Sequence, residues 1–227
     1  MTIKLAVFDI DGTLAKTENT IPFEVSSKLQ AYENRGLKIA LISGRNASYL
    51  AGLARGMGLK EPLVAGENGG VIFSPNTKEQ KILDYIPERI SQGIKNHLLK
   101  KFPNLWFQPN QTMISALPKK FSEVEKLYEV VKNLESIKEN NYKMNTYYDS
   151  VEIMPAKNNK GRALAVIKKI LGFSKKEVAV FGNTKVDLPM KDEAEVFFLI
   201  GDEVQEPDLK NYPSIEEAFK EFDQLLN

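Results

Sequence analysis

Cysteine is absent from all 227 residues, so disulfides and thiolate metal sites are excluded and nothing speaks for an oxidising compartment. Histidine occurs once, at His97, which rules out a His-rich metal centre. A Ser-His-Asp triad would have to use it, yet Gly93 to Lys101 reads as a helix with an exposed face and no nucleophile motif beside it. His97 is therefore expected at the surface or in a groove, without chemistry. No apolar run approaches the ~20 residues that span a bilayer. The amino terminus runs straight into a strand with no basic segment and cleavage site, so no signal peptide is expected. A net charge of +1 gives no reason to expect nucleic acid or an acidic membrane as partner. Lys168-Lys169 and Lys175-Lys176 read as solvated helix faces. These absences describe a soluble, cytoplasmic protein whose oligomeric state the composition does not set.

The most informative stretch lies near the start. Ile3 to Leu14 runs as an apolar strand into Asp9, Asp11, Gly12 and Thr13. Residues two apart on extended backbone point to the same side, so Asp9 and Asp11 face one small volume. Two anions that close repel unless one binds a proton or a cation lies between them. An Asp-Gly turn alone is common punctuation; the full string Asp-Ile-Asp-Gly-Thr points instead to a metal-assisted catalytic centre.

The first third of the chain alternates strand and helix. After a polar loop at Thr17 to Thr20, a helix starts at Pro22, carries Val25, Leu29 and Tyr32 inward, and ends at Gly36. Leu37 to Ile42 is a strand ending in Ser43-Gly44-Arg45. A helix from about Asn46 to Gly56 and a short strand at Leu63 to Ala65 follow. Nearly continuous apolar strands alternating with helices signal a parallel sheet covered on both faces, in which ligands bind beyond the carboxyl ends of the strands. Gly66 to Gly70 is a turn leading into a hairpin strand at Val71 to Phe73. Beyond it the pattern becomes helix, two strands, helix, two strands, which is an α+β arrangement. Ser122 to Glu125 has the form of a capping box opening the second of those helices. From Lys160 the alternation resumes, with a helix at Gly161 to Leu171 burying Leu164, Ile167, Ile170 and Leu171. A strand at Val178 to Phe181 ends in Gly182-Asn183-Thr184-Lys185-Val186-Asp187, and another runs from Val196 to Ile200. Ser214 to Glu217 has the form of a second capping box, opening a last helix with Phe219, Phe222 and Leu226 inward. The expectation is an α/β fold. A doubly wound, Rossmann-like parallel-sheet core spans residues 1–81 and 155–227, with a smaller α+β domain inserted at 82–154.

Four polar clusters fall at strand ends or helix starts of the parallel part: Asp9 with Asp11, Ser43, Lys160, and Asn183 with Asp187. In chain order they resemble the four motifs of the haloacid dehalogenase superfamily, in its phosphatase branch. The inserted unit and the Glu67-Asn68-Gly69-Gly70 turn are similar to the subgroup whose cap lies between the second and third motifs. Within it the chain resembles archaeal phosphoglycolate phosphatases and sucrose-phosphatase-like sugar phosphatases. The resemblance implies that Asp9 is the nucleophile, forming an aspartyl-phosphate. It implies that Asp11 is general acid and then base, and that Thr13, Ser43, Gly44, Arg45 and Lys160 contact the substrate. It also implies magnesium held by Asp9, Asp11, Asn183 and Asp187.

The fourth motif departs from the family pattern. Its main metal aspartate is replaced by Asn183, which removes one negative charge, and Lys185 adds a cation nearby. The expected activity is magnesium-dependent hydrolysis of a small phosphomonoester, with 2-phosphoglycolate the first candidate. The alternatives are a degenerate member that binds a phosphorylated ligand with little turnover, and a sugar-phosphate phosphatase or phosphotransferase.

Overall fold

The computed structural model describes residues 2–16 and 19–226. The expected polar loop at Thr17 to Thr20 therefore lies partly outside the described residues. Two compact units divide the chain: residues 1–81 with 159–227, and residues 82–158.

The first unit is built on strands β1 (Leu5–Phe8), β2 (Lys38–Ile42), β3 (Leu63–Gly66), β4 (Val71–Phe73) and β5 (Gln80–Ile82). To these the later chain adds β10 (Val178–Gly182), β11 (Val196–Ile200) and β12 (Asn211–Tyr212). Their order across the sheet is β12-β11-β10-β1-β2-β3-β4-β5, with β1 flanked in parallel by β10 and β2. All four residues of β1 are buried, as a parallel strand covered on both faces requires. The helices of this unit are α1 (Phe23–Asn34), α2 (Ala47–Gly56), α6 (Lys160–Leu171) and α7 (Ile215–Leu225). Rings from neighbouring strands stack through the core: Phe8 on Phe181 at 4.6 Å between centroids, and Phe181 on Phe198 at 4.5 Å. Edges of Phe219 and Phe222 from α7 meet the Phe181 ring. Such pairs add about 0.5–1.5 kcal/mol each beyond burial of their area.

The second unit has a four-stranded antiparallel sheet. Its strands β6 (Trp106–Phe107), β7 (Ile114–Leu117), β8 (Tyr142–Thr146) and β9 (Val151–Pro155) lie in the order β6-β7-β9-β8. Helices α3 (Glu88–Lys101), α4 (Val124–Lys132) and the single turn α5 (Glu135–Lys138) accompany it. It has its own core, in which Ile94, Leu98, Leu127 and Val131 pack with Ile114, Ala116, Val151 and Ile153. His97 is exposed on α3. No helix of the described residues is long and apolar enough to cross a membrane.

Several local expectations need correction. The inserted unit runs to Asn158 rather than to residue 154, since β9 extends to Pro155 and Asn158 donates its side-chain amide to the Asp84 carbonyl within the unit. The serine at 122 does not cap a helix: it lies in a 3-10 turn, Phe121–Glu123, that displaces the start of α4 to Val124. Ser214 does precede α7, but its side chain makes no cap hydrogen bond. A true capping box occurs elsewhere, where Ser174 and Glu177 bond reciprocally. Ile170 is half exposed, because the buried stripe of α6 follows Lys160, Ala163, Leu164 and Ile167.

Candidate active site

Asp9 directly follows β1, and its backbone N–H donates to the Phe181 carbonyl of β10 at 3.0 Å, which fixes the residue to the sheet edge. Its side chain is almost wholly buried. Lys160, first residue of α6, places Nζ 2.7 Å from Asp9 Oδ1 and 2.6 Å from Asp187 Oδ1, and only 3% of that lysine is exposed. A cation at a helix start opposes the helix dipole; here the two carboxylates offset that cost. Burial pushes the Asp9 carboxyl up from 3.8 to about 7, with Lys160 pulling it down and Asp187 pushing it further up. Burial pulls the Lys160 ammonium down, but the charges of Asp187 and Asp9 outweigh it and its pKa is raised. Lys160 is thus a fixed buried cation.

Asp187 is consumed by this arrangement. Its Oδ1 accepts from Lys160, while Oδ2 accepts from the backbone N–H of Asn183 at 3.0 Å, the N–H of Thr184 at 2.8 Å and the Thr184 hydroxyl at 2.9 Å. Gly182 permits the close return of this loop, for a Cβ there would lie 2.6 Å from Asp187 Cβ. Asp187 therefore orients Lys160 and closes the loop; the structure does not turn it toward the volume shared by Asp9 and Asn183.

Asp11 is also engaged. Arg45 Nε and Nη2 donate to Asp11 Oδ2 and Oδ1 at 3.0 and 3.1 Å, a two-point fork of the kind a guanidinium makes with carboxylates and phosphates. Both partners are partly exposed. Ser43 is buried at the end of β2, and its Oγ accepts from Arg45 N–H at 3.2 Å, leaving the hydroxyl hydrogen to donate. Gly44 lies between them, and Asn46 caps α2 by accepting from Tyr49 N–H. Lys185 is exposed.

Asn183 is buried against Thr13 and Gly12. One atom of its carboxamide lies 3.0 Å from Thr13 Oγ1, 3.1 Å from Asp9 Oδ2 and 3.2 Å from the Asp11 carbonyl oxygen. Thr13 also approaches Asp9 Oδ2, at 3.4 Å. Magnesium takes hard oxygen ligands, usually one or two carboxylates together with water and substrate phosphate. Asp9 Oδ2, the Asp11 carbonyl and the amide of Asn183 converge on one point and fit that description, with one carboxylate among them. The expected role of Asp187 as a ligand is not reproduced, since both its oxygens are used elsewhere.

A cavity of about 540 Å³ opens beside Gly12, Thr13 and Asn183. Asp202, Glu203 and Glu216 line it against the single Lys16, so its charge disfavours a phosphate. Sequence reasoning missed two features. These are the fork that occupies Asp11 and the loop bonds that occupy Asp187, both set by side-chain geometry with no motif of their own.

A family model described as haloacid dehalogenase-like hydrolase matches residues 6–148 and 101–206. A phosphoglycolate phosphatase of Thermoplasma volcanium is 25% identical over 193 residues, covering 83% of this chain and 80% of that protein. The 5-amino-6-(5-phospho-D-ribitylamino)uracil phosphatase YcsE of Bacillus subtilis is 27% identical over 207 residues, 85% and 81% of the two chains. Among solved structures, a haloacid dehalogenase-like hydrolase from Bacteroides thetaiotaomicron superposes with a TM-score of 0.81 at 16% identity. It covers 99% of this chain and 100% of that one, a likeness of fold.

Proposed function

The chain belongs to the haloacid dehalogenase-like hydrolases, and from that premise we propose that it is a phosphatase acting through an aspartyl-phosphate on Asp9. Its substrate is a small phosphorylated metabolite, with 2-phosphoglycolate first, since similar proteins from Thermoplasma volcanium and Sulfolobus acidocaldarius carry that activity in their names. The observation that carries the reading is the buried Lys160 ammonium, 2.7 Å from Asp9 Oδ1 at the carboxyl end of β1. A buried nucleophilic carboxylate next to a phosphate needs such a counter-charge, and a fixed cation there stabilises charge in the transition state.

In this reading an Asp9 carboxylate oxygen attacks phosphorus, the bond from phosphorus to the leaving oxygen breaks, and that oxygen takes a proton from Asp11. Water then attacks the phosphorus of the acyl phosphate and gives a proton to Asp11, releasing inorganic phosphate and the Asp9 carboxylate. Arg45 grips Asp11 in the free protein, so proton transfer requires the fork to let go. A phosphate dianion is a suitable competitor for the guanidinium. Ser43 donates its hydroxyl to a phosphate oxygen. Magnesium held by Asp9, the Asp11 carbonyl and Asn183 would supply positive charge beside the transferring phosphoryl group.

The test is release of inorganic phosphate from 2-phosphoglycolate and a panel of sugar phosphates, with magnesium, manganese or cobalt, by the parent and by Asp9→Asn. Release that stops in the variant is expected; an undiminished variant overturns the reading. Asn183 favours one other reading, a protein that binds a phosphorylated ligand without turnover. That predicts no hydrolysis across the panel together with a ligand-dependent rise in Tm.

A further inference from the structure

We infer that Arg45 is a carboxylate subsite, and that a carboxylate on the leaving group of the substrate takes over the fork that now holds Asp11. Arg45 Nε and Nη2 grip the two oxygens of the Asp11 carboxylate at 3.0 and 3.1 Å, the planar two-point match that a guanidinium makes and an ammonium does not. While Arg45 holds both oxygens, Asp11 has to give up one of these bonds to serve a leaving oxygen. The inference rests on the phosphatase reading, in which Asp11 must touch the ester oxygen. Arg45 then stands one hydrogen bond beyond the group that touches it. In 2-phosphoglycolate a single methylene separates the ester oxygen from the carboxylate. A molecule with its ester oxygen at Asp11 therefore presents its carboxylate beside the guanidinium.

The exchange costs little in this place. The side chains of Arg45 and Asp11 are 40% and 32% exposed, and an ion pair that meets water is weak. The backbone of Arg45 is fixed: its N–H donates to Ser43 Oγ at 3.2 Å, and its carbonyl accepts from the Glu67 N–H at 2.9 Å. A Cβ on Gly66 would fall 2.8 Å from that carbonyl, so the turn closes tightly over it. Only the side chain is left to move. The Tyr49 ring, centred 5.8 Å from the guanidinium carbon, gives it a face to move across. Lys160 is no rival for the carboxylate, since it is buried between Asp9 and Asp187. A phosphate oxygen also competes for Arg45, but a carboxylate reproduces the geometry already there. The substrate's carboxylate thus frees the acid that its own hydrolysis requires. A phosphomonoester without one has only its phosphate to loosen the fork.

The test compares 2-phosphoglycolate with ethyl phosphate, which has the same carbon chain length and no carboxylate, on the full chain with magnesium. The ratio of their kcat/KM values is expected to favour 2-phosphoglycolate in the parent. In Arg45→Gln that ratio should fall roughly ten- to a hundred-fold, the range that hydrogen bonds between charged groups are worth. Arg45→Lys keeps the charge without the fork and is expected to recover only part of the ratio. Equal losses on both substrates would assign Arg45 to the phosphate and overturn the subsite. Binding is also measured, by calorimetry in the Asp9→Asn background, so that absent turnover and an absent subsite are separate results. There 2-phosphoglycolate should bind more tightly than ethyl phosphate, and Arg45→Gln should erase the difference. Equal affinities of the two ligands before Arg45 is changed refute the inference, whether or not the parent hydrolyses either one.

Discussion

Lys160 lies between Asp9 and Asp187 with its side chain 3% exposed, and its removal would leave two carboxylates facing each other out of water. Breaking a buried pair from one side costs about 3–5 kcal/mol, because the remaining charge is uncompensated. Lys160→Met is expected to lower the unfolding free energy by about that amount in urea titration. Adding Asp187→Asn should recover part of the loss, so that the two changes are not additive; strict additivity would show that Lys160 and Asp187 are not coupled. Gly12 makes a different demand. An alanine there meets both a φ of +86° and the carboxamide of Asn183. Backbone strain alone costs about 1–3 kcal/mol, and the displaced amide adds to it. Gly12→Ala is therefore expected to unfold at lower urea than the parent, and an unchanged midpoint would contradict the packing.

Short elements are held by their ends. The 3-10 turn Lys175–Glu177, which leads into β10, is closed by the Ser174–Glu177 capping box and by Lys4 on the chain entering β1. Lys4 first, then the Ser174 bonds, hold the Glu177 carboxyl well below 4.5, at about 2. A depressed carboxyl contributes stability above its unfolded value and loses it as pH falls through the folded one. The Tm difference between the parent and Glu177→Gln should therefore be present at neutral pH and close between pH 4.5 and about 2. A difference independent of pH would assign the effect to packing. Elements of this kind mark the edge of what was legible. The buried strands β1, β2, β10 and β11 are continuous apolar runs with little competing reading, and the aspartate string stands at the end of β1 as its spacing predicts. The two-residue strand β12 and the edge strand β5 have no such pattern, because pairing with a neighbour creates them. The capping-box spelling at Ser122 and Ser214 misleads for a similar reason. It records which residues are suited to cap. At Ser122 a 3-10 turn displaces the helix start. Ser214 has the same extended backbone as Asn159, which does cap α6, so there the side chain's own orientation withholds the bond.

The two units differ in how they are written into the chain. Residues 82–158 are contiguous and own a core of Ile94, Leu98, Leu127, Val131 and Ile153. Expressed alone, that segment is expected to melt cooperatively, as a unit with its own core does; a featureless thermal trace would count against its independence. The other unit is assembled from both sides of it. Strand β1 lies at the middle of its sheet, paired on one edge with β2 and on the other with β10, whose residues are Val178–Gly182. Ribosomal synthesis runs from the amino terminus, and domains generally fold as units during it. Asp9 is thus translated among the first residues, yet its Phe181 anchor, its Lys160 counter-charge and the Asn183 amide are translated more than a hundred positions later. The inserted segment emerges whole in the interval and has every residue it needs to fold first. A nascent chain halted before residue 160 therefore carries Asp9 without Lys160, and the buried ion pair on which the proposed chemistry depends is completed only by the growth of the chain.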